Sequence, residues 1–153
     1  MLKVILPLAV IVSFILLAGT MQEAFSATGS HPFILKWGGS GLTEPGFFSL
    51  PQKAAVDSEG NIYVTDLGNK RVQKFDNDGV FVAAWDNSNE NVEFLEPTGI
   101  AVYDDLVFVV DSKLGTVQKF DSIGTLITKW GSVGNEKGQF SKPNGIAVSK
   151  DGI

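Results

Sequence analysis

The chain has 153 residues, of which 44% are hydrophobic, and its 17 acidic and 12 basic side chains give a formal net charge of −5. This negative balance argues against a nucleic-acid partner, because phosphate binding needs a clustered positive surface. The chain has no cysteine, which excludes disulfides, Cys-based zinc sites and thiol chemistry. Its stability must therefore come from an apolar core.

Residues 1–26 have the pattern of a secretory signal peptide, preceding a second region at 27–153. Lys3 provides a positive start, an uncharged apolar run follows, and small residues before Ala27 form a cleavage-like site. A retained signal-anchor is the alternative, because the uncharged run over 4–21 approaches the ~20 residues that span a bilayer. Both interpretations predict an extracytoplasmic protein, secreted or membrane-anchored at the cell surface. Any membrane association is expected only through residues 4–21.

The rest of the chain repeats with a period of 46 residues, as the spacing of Pro51, Pro97 and Pro143 shows. A phenylalanine stands three residues before each proline and a tryptophan lies further upstream: Trp37, Phe48, Trp85, Phe94, Trp130 and Phe140. A fixed period of this length indicates copies of one supersecondary unit. The predicted repeats lie near 51–96, 97–142 and 143–153. The regular recurrence of the aromatic residues predicts that they pack between adjacent units.

Each complete unit is predicted to contain four short strands, because runs rich in β-branched and aromatic residues alternate with Asn, Asp and Gly turns. The predicted strands are Ala54–Val56, Ile62–Thr65, Arg71–Phe75 and Val80–Trp85, then Ile100–Val102, Leu106–Val110, Thr116–Phe120 and Leu126–Trp130. Radial repetition of four-stranded antiparallel sheets is the β-propeller architecture. The predicted fold class is therefore all-β, an incomplete β-propeller of about two blades plus parts, preceded by a hydrophobic signal helix.

The most regular part of this pattern lies at Ala55–Gly79, where Ala-Val-Asp, Gly-Asn-Ile-Tyr-Val-Thr-Asp, Gly-Asn-Lys-Arg-Val-Gln and Phe-Asp follow in order. This segment resembles the NHL repeat, and Trp130-Gly131-Ser132 with Pro143–Val148 is similar to the link between such repeats. The resemblance covers residues 32–153. It implies a six-bladed propeller of about 270 residues at ~45 per blade, of which this chain would be an amino-terminal fragment. Phe33–Trp37 would then be a strand that closes the ring against a blade in the missing carboxyl part.

Asp66, Asn69 and Arg71 could form a polar site, but their place inside the repeat predicts a structural brace for the loop between the second and third strands. The second unit keeps the aspartate as Asp111 and replaces the other two residues by Leu114 and Thr116. The sequence therefore predicts that the second unit lacks this brace, which leaves its loop geometry open.

Asp76–Gly79 begins like a calcium loop, but the twelfth position from Asp76 is Asn87 rather than glutamate, so a hairpin turn is predicted. Asp57, Asp104 and Asp105 follow first strands and could supply oxygen ligands, although turn residues are the preferred interpretation.

His31 is the one histidine and lies before the first strand, with no cysteine or second histidine as a fellow ligand. We therefore assign no catalytic, cofactor-binding or metal residue, and we expect no cofactor.

The sequence thus favours an exported binding or scaffold module for a protein, glycan or small ligand over an enzyme. The alternative is a propeller lyase or hydrolase, because the resemblance implies relatives that use histidine or acidic residues around a central channel. Its metal or catalytic residues would lie in the missing carboxyl part. An RNA-binding propeller is disfavoured by the leader and the acidic balance.

Overall fold

A computed structural model describes residues 36–40 and 44–149. The chain divides into two units, Met1–Lys36 and Trp37–Ile153, and the strands given below all belong to the second unit. The predicted signal helix within 1–26 and His31 lie outside the described residues. Within the described ranges, no helix is long and apolar enough to span a membrane.

The described part of the chain is built from strands and short turns. The strands are β1 (Gly39–Ser40), β2 (Phe47–Phe48), β3 (Pro51–Val56), β4 (Ile62–Asp66), β5 (Arg71–Phe75), β6 (Phe81–Asp86), β7 (Pro97–Tyr103), β8 (Leu106–Asp111), β9 (Thr116–Asp121) and β10 (Leu126–Trp130). β3 to β6 form one antiparallel sheet in chain order, the first blade, and β7 to β10 form a second, the second blade. The eight predicted blade strands are confirmed, with ends that differ by a few residues.

The two blades share one register, as the pairs facing each other across their strands show. Asp66 pairs with Arg71 across β4 and β5, and Asp111 pairs with Thr116 across β8 and β9. Because side chains alternate across a strand, equal register places equivalent residues on the same face of each blade. The repeat therefore persists in three dimensions, residue by residue.

The core between the blades is built from the recurring aromatic residues. Trp85 and Phe94 both contact Phe120, with ring centroids 6.0 and 5.8 Å apart. Trp37 and Phe48 make the equivalent contacts with Phe75, at 4.6 and 5.6 Å. The prediction that these aromatic residues pack between repeated units is confirmed for Trp85 and Phe94, whereas Trp130 is 43% exposed on the second blade.

Turn glycines make room for the tryptophans. Gly79 and Gly124, in the β5–β6 and β9–β10 turns, have φ values of 78° and 92°. A Cβ at Gly79 would collide with the Trp37 ring, and one at Gly124 would lie 2.7 Å from Trp85. Each glycine therefore serves a left-handed turn and a close aromatic contact at once.

The segment predicted as a closing strand differs from expectation where it is described. Lys36 and Trp37 belong to no strand, whereas Phe33, Ile34 and Leu35 lie outside the described residues. Gly38 has a φ of 81°, in the left-handed region, so the chain turns directly after Trp37 and cannot continue there as an extended strand. The Trp37 ring instead packs on the first blade.

The predicted start of a third unit is also not a strand in the structure. Pro143–Ser149 lie in irregular backbone, and Ile146 and Val148 pack against the second blade. A strand needs a hydrogen-bonded neighbour. No such neighbour lies beside this segment in the described part of the chain.

Candidate functional site

The first polar cluster is a brace built on Asp66, at the end of β4. Asp66 is fully buried, and its Oδ2 accepts hydrogen bonds from Arg71 Nε at 2.9 Å, Asn69 Nδ2 at 2.8 Å and Gln73 Nε2 at 3.1 Å. Its Oδ1 accepts from the Ser49 amide at 2.7 Å. A buried carboxylate needs such partners, because an unpaired one is strongly destabilising. The structural role predicted for Asp66, Asn69 and Arg71 is confirmed.

The brace also fixes the chain that enters the first blade. Arg71 Nη2 donates to the carbonyls of Phe47 and Glu44, at 2.7 and 3.1 Å. Gln73 Nε2 donates to the same Phe47 carbonyl at 2.8 Å, while Gln73 Oε1 accepts from the Gly46 amide at 2.9 Å. No role was predicted for Gln73 from the sequence, although its recurrence as Gln118 was a usable signal.

The second blade holds its carboxylate differently. Asp111 is fully buried, and its Oδ2 accepts from the amides of Leu95 and Glu96, at 2.7 and 2.9 Å. Its Oδ1 accepts from the amides of Lys113 and Leu114, at 3.0 and 2.9 Å. The predicted loss of the side-chain brace is confirmed, and backbone donors define the loop in its place.

A second polar group lies at the opposite end of the blades, around the β3–β4 turn. Asp57 Oδ1 accepts from the amides of Glu59 and Asn61, at 3.0 and 2.8 Å, and its Oδ2 accepts from Asn61 Nδ2 and the Tyr63 hydroxyl, at 2.9 and 3.1 Å. Burial alone would raise the pKa of Asp57, but the hydrogen bonds from Asn61, Tyr63 and Glu59 outweigh it and hold the pKa below its usual value. Asp57 therefore fixes its own turn as a carboxylate.

The neighbouring β7–β8 turn adds two exposed carboxylates, Asp104 and Asp105. Asp104 has a φ of 50°, as a tight turn between paired Tyr103 and Leu106 demands. Burial raises the pKa of Tyr63, and its bond to Asp57 and the negative charges of Asp105 and Glu59 add to this effect. The structure thus brings carboxylates of both blades near one tyrosine.

The β5–β6 and β9–β10 turns lie at this same end, because each blade is an antiparallel meander. Asp76 Oδ1 accepts from the amides of Asp78 and Val80, at 3.0 and 2.8 Å. Asp121 Oδ1 accepts from the amides of Ile123 and Thr125, at 3.1 and 2.7 Å. The hairpin turn predicted at Asp76–Gly79 is confirmed. In the described residues, no group of three or more His, Cys, Asp or Glu side chains is arranged to hold a metal ion.

The second blade also presents an apolar groove of about 300 Å³ on the side away from the first blade. We call it the second-blade face; Phe108, Lys119, Trp130, Ile146 and Val148 line it. Lys119 Nζ lies 5.4 Å above the Phe108 ring, and Lys74 Nζ lies 5.1 Å above Tyr63 in the first blade. The equivalent side of the first blade is covered by the second blade.

Comparison with known proteins agrees with this architecture. Hydrazine synthase from Kuenenia stuttgartiensis superposes with a TM-score of 0.55 at 16% identity, covering 84% of this chain and 31% of that one. At this identity the likeness shows the fold alone.

Two sequence relatives align with parts of this chain. Human NHL repeat-containing protein 3 is 42% identical over 60 residues, covering 38% of this chain and 17% of the human protein. A Caenorhabditis elegans protein named probable peptidyl-alpha-hydroxyglycine alpha-amidating lyase pgal-1 is 25% identical over 115 residues, covering 69% of this chain and 33% of the nematode protein. The chain thus matches less than a fifth of the first relative and a third of the second.

The NHL repeat family matches residues 48–75, which lie in the entry segment and the first three strands of the first blade. The second blade repeats the register and aromatic packing of the first. The matched segment and its structural copy lie side by side, so the family match, the human relative and the blade architecture together support an NHL-repeat β-propeller.

Proposed function

We propose that this chain belongs to an exported propeller that acts as a binding or scaffold module, with a protein partner that carries basic groups. The observation that supports this proposal is the rigid, acidic end formed by the β3–β4, β5–β6, β7–β8 and β9–β10 turns. We call this end the acidic rim; its exposed carboxylates are Glu59, Asp78, Asp104 and Asp105. Loops fixed on a rigid scaffold are common binding surfaces.

The acidic rim is held within and between blades. Asp57, Asp76 and Asp121 each fasten their own turn, and Lys74 Nζ of the first blade donates to the Ser122 carbonyl of the second at 3.2 Å. A preordered surface loses little conformational entropy on binding. Its negative charge would speed the approach of a basic partner, an effect that salt weakens.

A fluorescent decalysine peptide tests the proposal, with binding rates measured at low and physiological salt. In Glu59→Gln/Asp105→Asn, which removes two exposed rim charges, we expect the association rate at low salt to fall about tenfold. The matched control is Glu96→Gln/Glu136→Gln, which removes one charge ahead of β7 and one after β10, at the other end of the blades, and should change the rate little. Equal effects in both variants would show attraction by net charge alone and would refute a rim-specific site.

An amidating-lyase activity is the second candidate, and the similarity to the nematode protein favours it. Incubating the chain with a peptidyl-α-hydroxyglycine, with and without added zinc, tests this activity. The binding proposal predicts that the peptide is recovered unchanged. Release of an amidated peptide would replace the binding proposal by the enzymatic one.

Export is supported by the leader pattern alone. We propose cleavage before Ala27 and delivery outside the cytoplasm, with a retained anchor over residues 4–21 as the alternative. Amino-terminal sequencing of the exported chain decides between them: Ala27 as the first residue supports cleavage, whereas a membrane-bound chain that starts at Met1 supports the anchor.

A further inference from the structure

The two blades differ at the position that a guanidinium group fills in the first. Arg71 and Thr116 occupy the same place, because each pairs across its sheet with the buried aspartate. Arg71 extends from this place to Asp66 and to the Phe47 carbonyl. Thr116 ends at its γ atoms and is several atoms too short for the same reach.

The glutamine beside this position is nevertheless kept, with its hydrogen bond to the entering backbone. Gln118 Nε2 donates to the Glu93 carbonyl at 2.6 Å, which reproduces the 2.8 Å bond from Gln73 to Phe47. The second blade therefore keeps the glutamine of this site but lacks the long side chain that occupies the position in the first blade.

Two polar atoms on this stretch of β9 have no protein partner in the described part of the chain. They are Thr116 Oγ1 and Gln118 Oε1, and both are buried. The first-blade counterpart of the second, Gln73 Oε1, accepts from the Gly46 amide. Buried polar atoms are rarely left unsatisfied in native proteins, and ordered water is a common partner.

We propose that the second blade binds one internal water molecule at the position of the missing guanidinium. The water accepts from the Thr116 hydroxyl and donates to Gln118 Oε1 and the Glu93 carbonyl, which gives it the three hydrogen bonds typical of a buried water. A cation is not required, because the Asp111 carboxylate already accepts four backbone hydrogen bonds. The guest is therefore a neutral molecule that both donates and accepts.

In the full chain, Thr116→Val should lower the stability if the water is present, and should leave it equal or raise it if the water is absent. If the hydroxyl holds a water, valine removes a hydrogen bond, and the unfolding equilibrium constant should rise roughly 2- to 10-fold. If the hydroxyl has no partner, valine removes an unsatisfied polar atom and also suits a strand better, so stability should stay equal or increase. Thr116→Ser, which keeps the hydroxyl, is the matched control for the methyl group.

A direct observation complements the stability measurement. Water-to-protein NOE spectra should show a long-lived water close to Thr116 and Gln118 in the parent and in Thr116→Ser, and should lose it in Thr116→Val. The proposal is overturned if the parent shows no such water, or if Thr116→Val is at least as stable as the parent.

Discussion

Asp66 and Asp111 show how one buried carboxylate can be satisfied by two different sets of donors. Three side chains and one amide hold Asp66, whereas four amides hold Asp111. In the second blade the entry loop itself supplies two donors, from Leu95 and Glu96. The arginine can be lost there because the loop backbone takes over its hydrogen bonds to the carboxylate.

The first blade has no such replacement, so Arg71→Thr, which copies the second blade, should be destabilising. It removes the ion pair with Asp66, whose Nε–Oδ2 distance is 2.9 Å, and the bonds to the Glu44 and Phe47 carbonyls. Removing one partner of a buried pair costs about 3–5 kcal/mol, measured here as the free energy of unfolding in a urea titration.

The matched control for this prediction is Lys113→Thr. Its ion pair with Glu96 spans 4.0 Å between exposed side chains, and such pairs contribute about 0–1 kcal/mol. If Arg71→Thr cost no more than Lys113→Thr, the brace would not contribute measurably to stability.

At the scale of an element, the segments that link the blades also use different groups for equivalent hydrogen bonds. In the link after β10, Val133 and Phe140 form a parallel bridge, and β1 pairs with β2 in the same way before the first blade. The link after β6 instead uses the side chain of Asn87, whose Nδ2 donates to the Phe94 carbonyl at 3.0 Å and whose Oδ1 accepts from the Phe94 amide at 2.6 Å. A side-chain amide thus takes the place of a backbone amide.

Asn87→Ala should therefore remove the two hydrogen bonds that hold the backbone of Phe94, whose side chain is fully buried between the blades. Two hydrogen bonds are lost at a solvent-exposed residue, so we expect a loss of about 1–2 kcal/mol in the free energy of unfolding. The exposed neighbour Ser88→Ala should change it by less than about 0.5 kcal/mol. Faster exchange of the Phe94 amide in Asn87→Ala alone would locate the effect, and unchanged exchange would contradict it.

The strands could be predicted from sequence because each one combines a repeat position with local strand preference and turn residues. The role of Asn87 could not, because a side chain that bonds to backbone 7 residues away in one link only leaves no periodic pattern. Gln73 does recur as Gln118, but the pattern does not show that each glutamine bonds to a backbone carbonyl 25 or 26 residues earlier. The prediction of a strand ending at Trp37 was wrong at that residue for a related reason. Its apolar neighbours suit a strand, whereas its packing on Phe75 and Gly79 depends on the folded blade.

At the scale of the whole molecule, the two blades present the same kind of face in different surroundings. Trp85 is 1% exposed because the second blade covers it, whereas the equivalent Trp130 is 43% exposed on the second-blade face. Phe108, Ile146 and Val148 extend this apolar surface. The equivalent face of the first blade is buried against another blade. We therefore expect a second copy of the chain to bury the exposed second-blade face.

We therefore expect the 153-residue chain to self-associate through the second-blade face, with an apparent mass in sedimentation velocity that rises with concentration. Trp130→Lys places a charge on this face and should weaken association by about tenfold or more, since buried aromatic anchors dominate interfaces. Val80→Lys introduces the same charge at another exposed apolar residue, 60% exposed in the β5–β6 turn, and should leave association unchanged. A parent chain that stays monomeric, or equal weakening by both lysines, would show that this face does not mediate the contact.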